Sequence, residues 1–155
     1  LAKVASMTHD VPRIVLDTNA WLDLLLFEDP RVAVLRAAIH DGDVAAVVNA
    51  ACRAEWQRVL QYPRLQLDLD RRLLLSQAFD TLTCLLADGS MREPEPLPRC
   101  RDRDDQKFVQ LAFDSGARWL VSRDREVLAL GRRTARAGWF EIVTPQAWSL
   151  TGALR

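Results

Sequence analysis

Apolar residues in this chain gather into short unbroken runs, separated by stretches with helical spacing. Four of the runs are continuous rather than alternating: Arg13-Ile-Val-Leu16, Val44-Ala-Ala-Val-Val48, Arg118-Trp-Leu-Val121 and Glu141-Ile-Val143. A strand covered on both faces has no solvent side on which to alternate, so each run predicts a strand inside a buried sheet. Between them, residues 54–61 and 69–86 carry helical spacing. In the second stretch Leu73, Leu74, Gln77, Leu82, Leu85 and Leu86 recur near three and four, which predicts one amphipathic helix. Strands alternating with helices predict an α/β fold with a mainly parallel sheet.

The stretch from Asp88 to Asp102 holds Gly89, Pro94, Pro96 and Pro98; proline fits neither a helix interior nor a central strand, so a surface loop is expected there. Asp104 and Asp105 then open a helix, where acids complement the dipole, and Phe108, Leu111 and Ala112 give its buried stripe.

At 155 residues, 49% of them hydrophobic, the chain has the size of one domain and can bury about two-thirds of its unfolded surface. The six residues before Met7 read as an upstream start or an expression remnant, without a signal-length apolar run. Apolar stretches such as Trp21 to Phe27, with Asp23 inside, are shorter than the roughly 18 to 20 residues that span a bilayer. Cys52, Cys84 and Cys100 form no C-x-x-C pair and are odd in number. Together these point to a soluble, cytoplasmic protein without disulfides or membrane contact.

Basic and acidic residues cancel, 21 against 21, so net charge does not announce a nucleic-acid partner. Their distribution is uneven: residues 1–30 are acidic, and residues 117–136, with Arg118, Arg123, Arg125, Arg132, Arg133 and Arg136, are basic. Two solvated faces explain that as readily as a polyanion site.

Asp17 directly follows the first apolar run, and Asp124 stands three residues after Val121. Both are expected at the carboxyl ends of parallel strands, where open α/β sheets place their ligands. Glu55 near the start of one helix and Asp105 in the first turn of another reach the same edge if the connections are short. Carboxylates so crowded raise one another's pKa, a conflict that a hard divalent cation resolves. All-oxygen ligation without His or thiolate suits Mg²⁺ or Mn²⁺. Each acid alone also fits a plainer role: Asp17 as a helix N-cap, Asp124 as the N-cap of a helix from Arg125 to Leu130, Glu55 on a helix surface, Asp104 and Asp105 as dipole partners.

The ordered segments Ile-Val-Leu-Asp17-Thr-Asn19, Ala-Glu55-Trp-Gln-Arg-Val-Leu60 with Pro63, Cys100-Arg-Asp-Arg-Asp-Asp105-Gln-Lys-Phe108, Leu120-Val-Ser-Arg-Asp124 and Ile142-Val-Thr-Pro145 resemble the PIN-domain family. The resemblance is nearest to its branch of VapC-like toxin components of toxin–antitoxin pairs. It implies a three-layer α/β/α sandwich over residues 13–150, between a flexible segment 1–12 and a tail 151–155. It further implies a Mg²⁺ or Mn²⁺ site on Asp17, Glu55, Asp105 and Asp124, endoribonuclease activity on RNA, a small antitoxin partner and a homodimer. Thr18, Asn19 and Ser122 match the positions whose hydroxyl and amide groups orient the ligands. Arg103 and Gln106 depart from the usual Asp-Pro-Asp-Asp-Asp-Lys run, which leaves Asp104 as a substitute for Asp105.

Arg123 and Arg125 flank Asp124, where they would meet phosphate or else pair with the acids. Trp21, Trp56, Trp119 and Trp148 adjoin apolar runs and are expected in the core, with Trp139 in a loop. His9 and His40 lack a metal-ligand spacing. A haloacid-dehalogenase-type phosphohydrolase also puts an Asp after its first strand, yet needs a second acid where Asn19 stands. A catalytically silent PIN-like module that binds RNA or protein is the other alternative.

Overall fold

The computed structural model describes residues 11–90, 93 and 95–151; the expectations for His9, the segment before Met7 and most of the tail lie outside them. The elements run β1 Arg13–Leu16, α1 Thr18–Leu25, α2 Ala33–His40, β2 Ala45–Val48, α3 Ala50–Val59, α4 Leu69–Leu82, β3 Thr83–Leu85, α5 Gln106–Ser115, β4 Trp119–Val121, α6 Arg125–Leu128, α7 Gly131–Arg136 and β5 Glu141–Val143. Short 3₁₀ turns at Pro30–Val32, Pro63–Leu65 and Arg103–Asp105 join them.

One five-stranded sheet has the order β3-β2-β1-β4-β5, and every pairing is parallel. The chain winds outward from β1 to β2 and β3, then restarts beside β1 with β4 and β5. The winding direction therefore reverses between β1 and β4.

Strand alternation sorts the core into two layers. Ile14, Leu16, Ala46, Val48, Trp119 and Val121 face α1, α2 and α4, packing with Trp21, Leu35 and Phe79. Val15, Val47 and Leu120 face α5 and α6, packing with Phe108, Ala112 and Val127. Period-2 side-chain direction splits a continuous apolar run between two covered faces in this way. Helices on both faces of a parallel sheet make the expected α/β/α sandwich.

Phe79 anchors the first layer. It stacks on Trp56 at 5.1 Å and meets Trp21 edge-on at 5.0 Å, and Trp119 meets Trp148 edge-on at 5.3 Å. These four tryptophans are core residues. Trp139, half-buried in the turn after α7, packs edge-on against Phe113.

Three sequence expectations are corrected. The helix expected over residues 69–86 ends at Leu82, and Thr83–Leu85 forms the fifth strand, β3, paired in register with Ala46 to Val48. Its buried stripe is Leu75 and Phe79, while Leu73 and Leu74 are 52% and 62% exposed; leucines at five positions allowed more than one helical register. The helix expected from Arg125 to Leu130 breaks after Leu128 and resumes as α7. Among the described residues, no helix is long and apolar enough to cross a membrane.

Candidate metal centre

β1 delivers Asp17. Its main chain stays extended (φ −72°, ψ 172°) as the N-cap of α1, and Oδ1 accepts from the Ala20 N–H at 2.9 Å. The neighbouring strand β4, in register through Leu16 and Val121, brings Ser122 to the same level. Ser122 Oγ donates to Asp17 Oδ2 at 2.5 Å and accepts from the Asp124 N–H at 3.0 Å. One buried hydroxyl thus links the ends of the two central strands. Asp124 caps α6, its Oδ1 accepting from the Glu126 N–H at 2.7 Å. The capping and clustering roles coexist, because a cap engages only one carboxylate oxygen.

Asp105 stands at the end of the 3₁₀ turn that leads into α5. Asp102 starts that turn, accepting from the Asp104 N–H at 2.9 Å. One carboxylate oxygen each from Asp102, Asp105 and Asp124 lie within 4.8 Å of one another. Asp102 was not singled out in the sequence. Asp104 is exposed and its side chain stays outside the group.

Gln106, the departure from the family's acid run, fastens the loop instead. Its Oε1 accepts from the Cys100 N–H at 2.6 Å and its Nε2 donates to the Pro98 carbonyl at 3.3 Å.

The electrostatics are those of crowded acids. Burial, and then the charges of Asp102, Asp17 and Asp124, push Asp105 up to about 7 from 3.8; a proton-bearing hydrogen bond to Asp124 adds to this. Burial also raises Asp17 to about 6, against the lowering effect of the Ser122 and Ala20 hydrogen bonds and of Arg123. Near neutral pH, metal-free, the group cannot carry its full negative charge cheaply.

Glu55 and Asp17 lie outside the three-oxygen group. Thr18 Oγ1 donates to Glu55 Oε2, and Lys107 Nζ forms an ion pair with Oε1. Asn19 is exposed at the start of α1. Arg123, expected to face phosphate or the acid group, binds Asp23 through Nε at 2.6 Å and Nη2 at 3.1 Å. Arg125 is exposed at the first position of α6. His40 is a surface residue beside Asp41.

The donors offered to a cation are carboxylate oxygens, and burial together with the neighbouring acids raises the Asp105 carboxyl to about 7, a shift that a nearby positive charge would oppose. That set fits a hard divalent cation. It lies at the β1/β4 reversal, the switch point where open parallel sheets bind ligands. Fold and site together define an α/β/α protein with a cluster of acids at the sheet's carboxyl edge whose oxygens could hold a cation. The PIN domain family model matches residues 13–126, most of the chain, and the chain belongs to that family, whose members are typically metal-dependent nucleases. No curated protein matches the chain.

Proposed function

We propose that this chain is a Mg²⁺- or Mn²⁺-dependent endoribonuclease that hydrolyses RNA phosphodiester bonds, and that it acts as the toxin of a toxin–antitoxin pair. The carrying observation is the crowding of Asp102, Asp105 and Asp124 at the switch point, with Asp17 joined to Asp124 through Ser122. Acids this close, with Asp105 raised to about 7, are costly in a metal-free fold and useful in one that binds a cation.

Asp105, Asp124 and Asp102 would hold the cation, with Asp17 beside them. A divalent ion in such a setting lowers the pKa of water and neutralises phosphate oxygens during in-line displacement. The chain's own contribution is positional. Ala20 and Ser122 fix both oxygens of Asp17, the α6 amide of Glu126 fixes one oxygen of Asp124, and Thr18 steadies Glu55. Exposed Arg125, next to Asp124, would meet the RNA backbone as a charge-assisted phosphate contact.

The toxin role is supported by the ordered motifs around Asp17, Glu55, Asp105 and Asp124. With it go a cytoplasmic location, a homodimer and a small antitoxin partner. Expression of the wild-type chain in a bacterial host tests it: growth arrest that the Asp124→Asn variant does not cause supports the toxin, and equal growth of both strains removes that role. Incubating the purified chain with single-stranded RNA tests the enzyme. Cleavage with Mn²⁺ that stops in EDTA supports the reading. RNA binding without cleavage would leave a silent binding module.

A further inference from the structure

We propose that Lys107 fills, with its own ammonium, the place that a second divalent ion would take against Glu55, so that the centre holds a single divalent ion among Asp102, Asp105 and Asp124. This rests on the metal-centre reading above and deepens it.

Glu55 has both carboxylate oxygens engaged, Oε1 by Lys107 and Oε2 by Thr18. Its side chain is only 16% exposed and that of Lys107 24%. A second bond anchors the lysine, Nζ donating to the Asp104 carbonyl at 2.6 Å. The ammonium also stands 5.1 Å from the centroid of the Phe108 ring. Gln106, the preceding residue, is itself tied to Cys100 and Pro98. The Lys107 head is therefore held by three groups, and the residue before it is itself fixed.

A carboxylate this covered requires a compensating charge, and Lys107 provides it, whereas among the described residues no lysine or arginine forms an ion pair with Asp102, Asp105 or Asp124. Two-ion phosphodiester sites set their ions roughly 3.5 to 4 Å apart on shared carboxylates. A second ion touching Glu55 would meet the ammonium, cation against cation, at a distance where that repulsion is strong. The arrangement divides the centre into an open acidic half that takes a metal and a closed half already neutralised by the chain. Lys107 is in this sense a positioning residue: it acts through Glu55.

Calorimetric titration of the EDTA-treated full chain with Mn²⁺ provides the test, with electron paramagnetic resonance counting bound ions. Wild type should bind one Mn²⁺ per chain. Glu55→Gln should bind one with Kd changed by less than about twofold, and Lys107→Arg should keep one. Lys107→Met, which leaves Glu55 open, should bind two. Two ions on wild type, a tenfold weaker Kd in Glu55→Gln, or a single ion on folded Lys107→Met would each overturn the proposal. If Lys107→Met does not fold, the wild-type count and Glu55→Gln still decide. Absence of any Mn²⁺ binding by wild type would overturn the metal centre itself, and this inference with it; a count of two would overturn the inference alone.

Discussion

Replacing Asp17 with Asn should make the metal-free protein more stable at neutral pH and less stable in acid. Burial holds the Asp17 carboxyl at about 6 against an ordinary 3.8, and a gap of that size corresponds to about 3 kcal/mol. Because the folded-state value is raised, the associated stability is complete below 3.8 and is lost as pH rises through 6. Asn removes this loss. It keeps the cap on the Ala20 N–H, since Asn caps about as well as Asp. It cannot accept the Ser122 hydroxyl with its amide nitrogen, which costs about 1 kcal/mol. In EDTA the variant should thus be weaker than wild type by about 1 kcal/mol near pH 3 and stronger by about 2 kcal/mol near pH 7.5. Urea unfolding followed by tryptophan fluorescence at both pH values measures the difference. Millimolar Mn²⁺ should then stabilise wild type much more than the variant, as expected for a ligand that binds only the folded state. A stability difference that does not change sign with pH would refute the reasoning, and equal stabilisation by Mn²⁺ would remove Asp17 from the centre.

Asp105→Asn and Asp124→Asn should each lower RNA cleavage by about a hundredfold or more, whereas Asp104→Asn, at an exposed residue outside the group, should stay within about threefold of wild type; single-turnover rates decide, and the reverse order would reassign the acid. Arg123→Ala strands buried Asp23 and should cost about 1 to 3 kcal/mol by urea unfolding while leaving the salt dependence of RNA binding unchanged. Arg125→Ala should do the opposite, flattening the slope of log affinity against log salt by about 0.7, the value for one phosphate contact on a single strand. Changing both Leu73 and Leu74 to Ser should alter stability by less than about 1 kcal/mol, because both side chains are already exposed in the folded chain.

Much of the fold was legible because β1, β2 and β4 are apolar runs buried on both faces, and β5, a half-buried edge strand, still carries a continuous apolar run. β3 was not: it is an edge strand whose Leu85 is 59% exposed, and Leu85, with Leu86 after it, continues the spacing of the helix before it. Asp17 and Asp124 could be placed from the chain alone, since each follows such a run at a fixed interval. Asp102 was hidden for a local reason. A 3₁₀ turn brings residues i and i+3 over one another, so Asp102 and Asp105 share a side, whereas an α-helical reading of the same acids favours Asp104 and Asp105 as dipole partners. The partners of Glu55 and Arg123 were hidden for a different reason. Lys107 and Asp23 lie far away in sequence, and such pairings are set by the packing of α3 against α5 and of α1 beside β4 rather than by any local spacing.

The central claim, that the acids at the β1/β4 reversal hold a metal used to cut RNA, is tested most directly by one comparison. Wild type and Asp124→Asn are incubated with a uniformly labelled single-stranded RNA in Mn²⁺ and in EDTA, after both are shown to be folded by circular dichroism. The account predicts internal cleavage by wild type in Mn²⁺, none in EDTA, and loss of about a hundredfold or more in the variant. Cleavage that persists undiminished in EDTA, or that Asp124→Asn leaves intact, would contradict it.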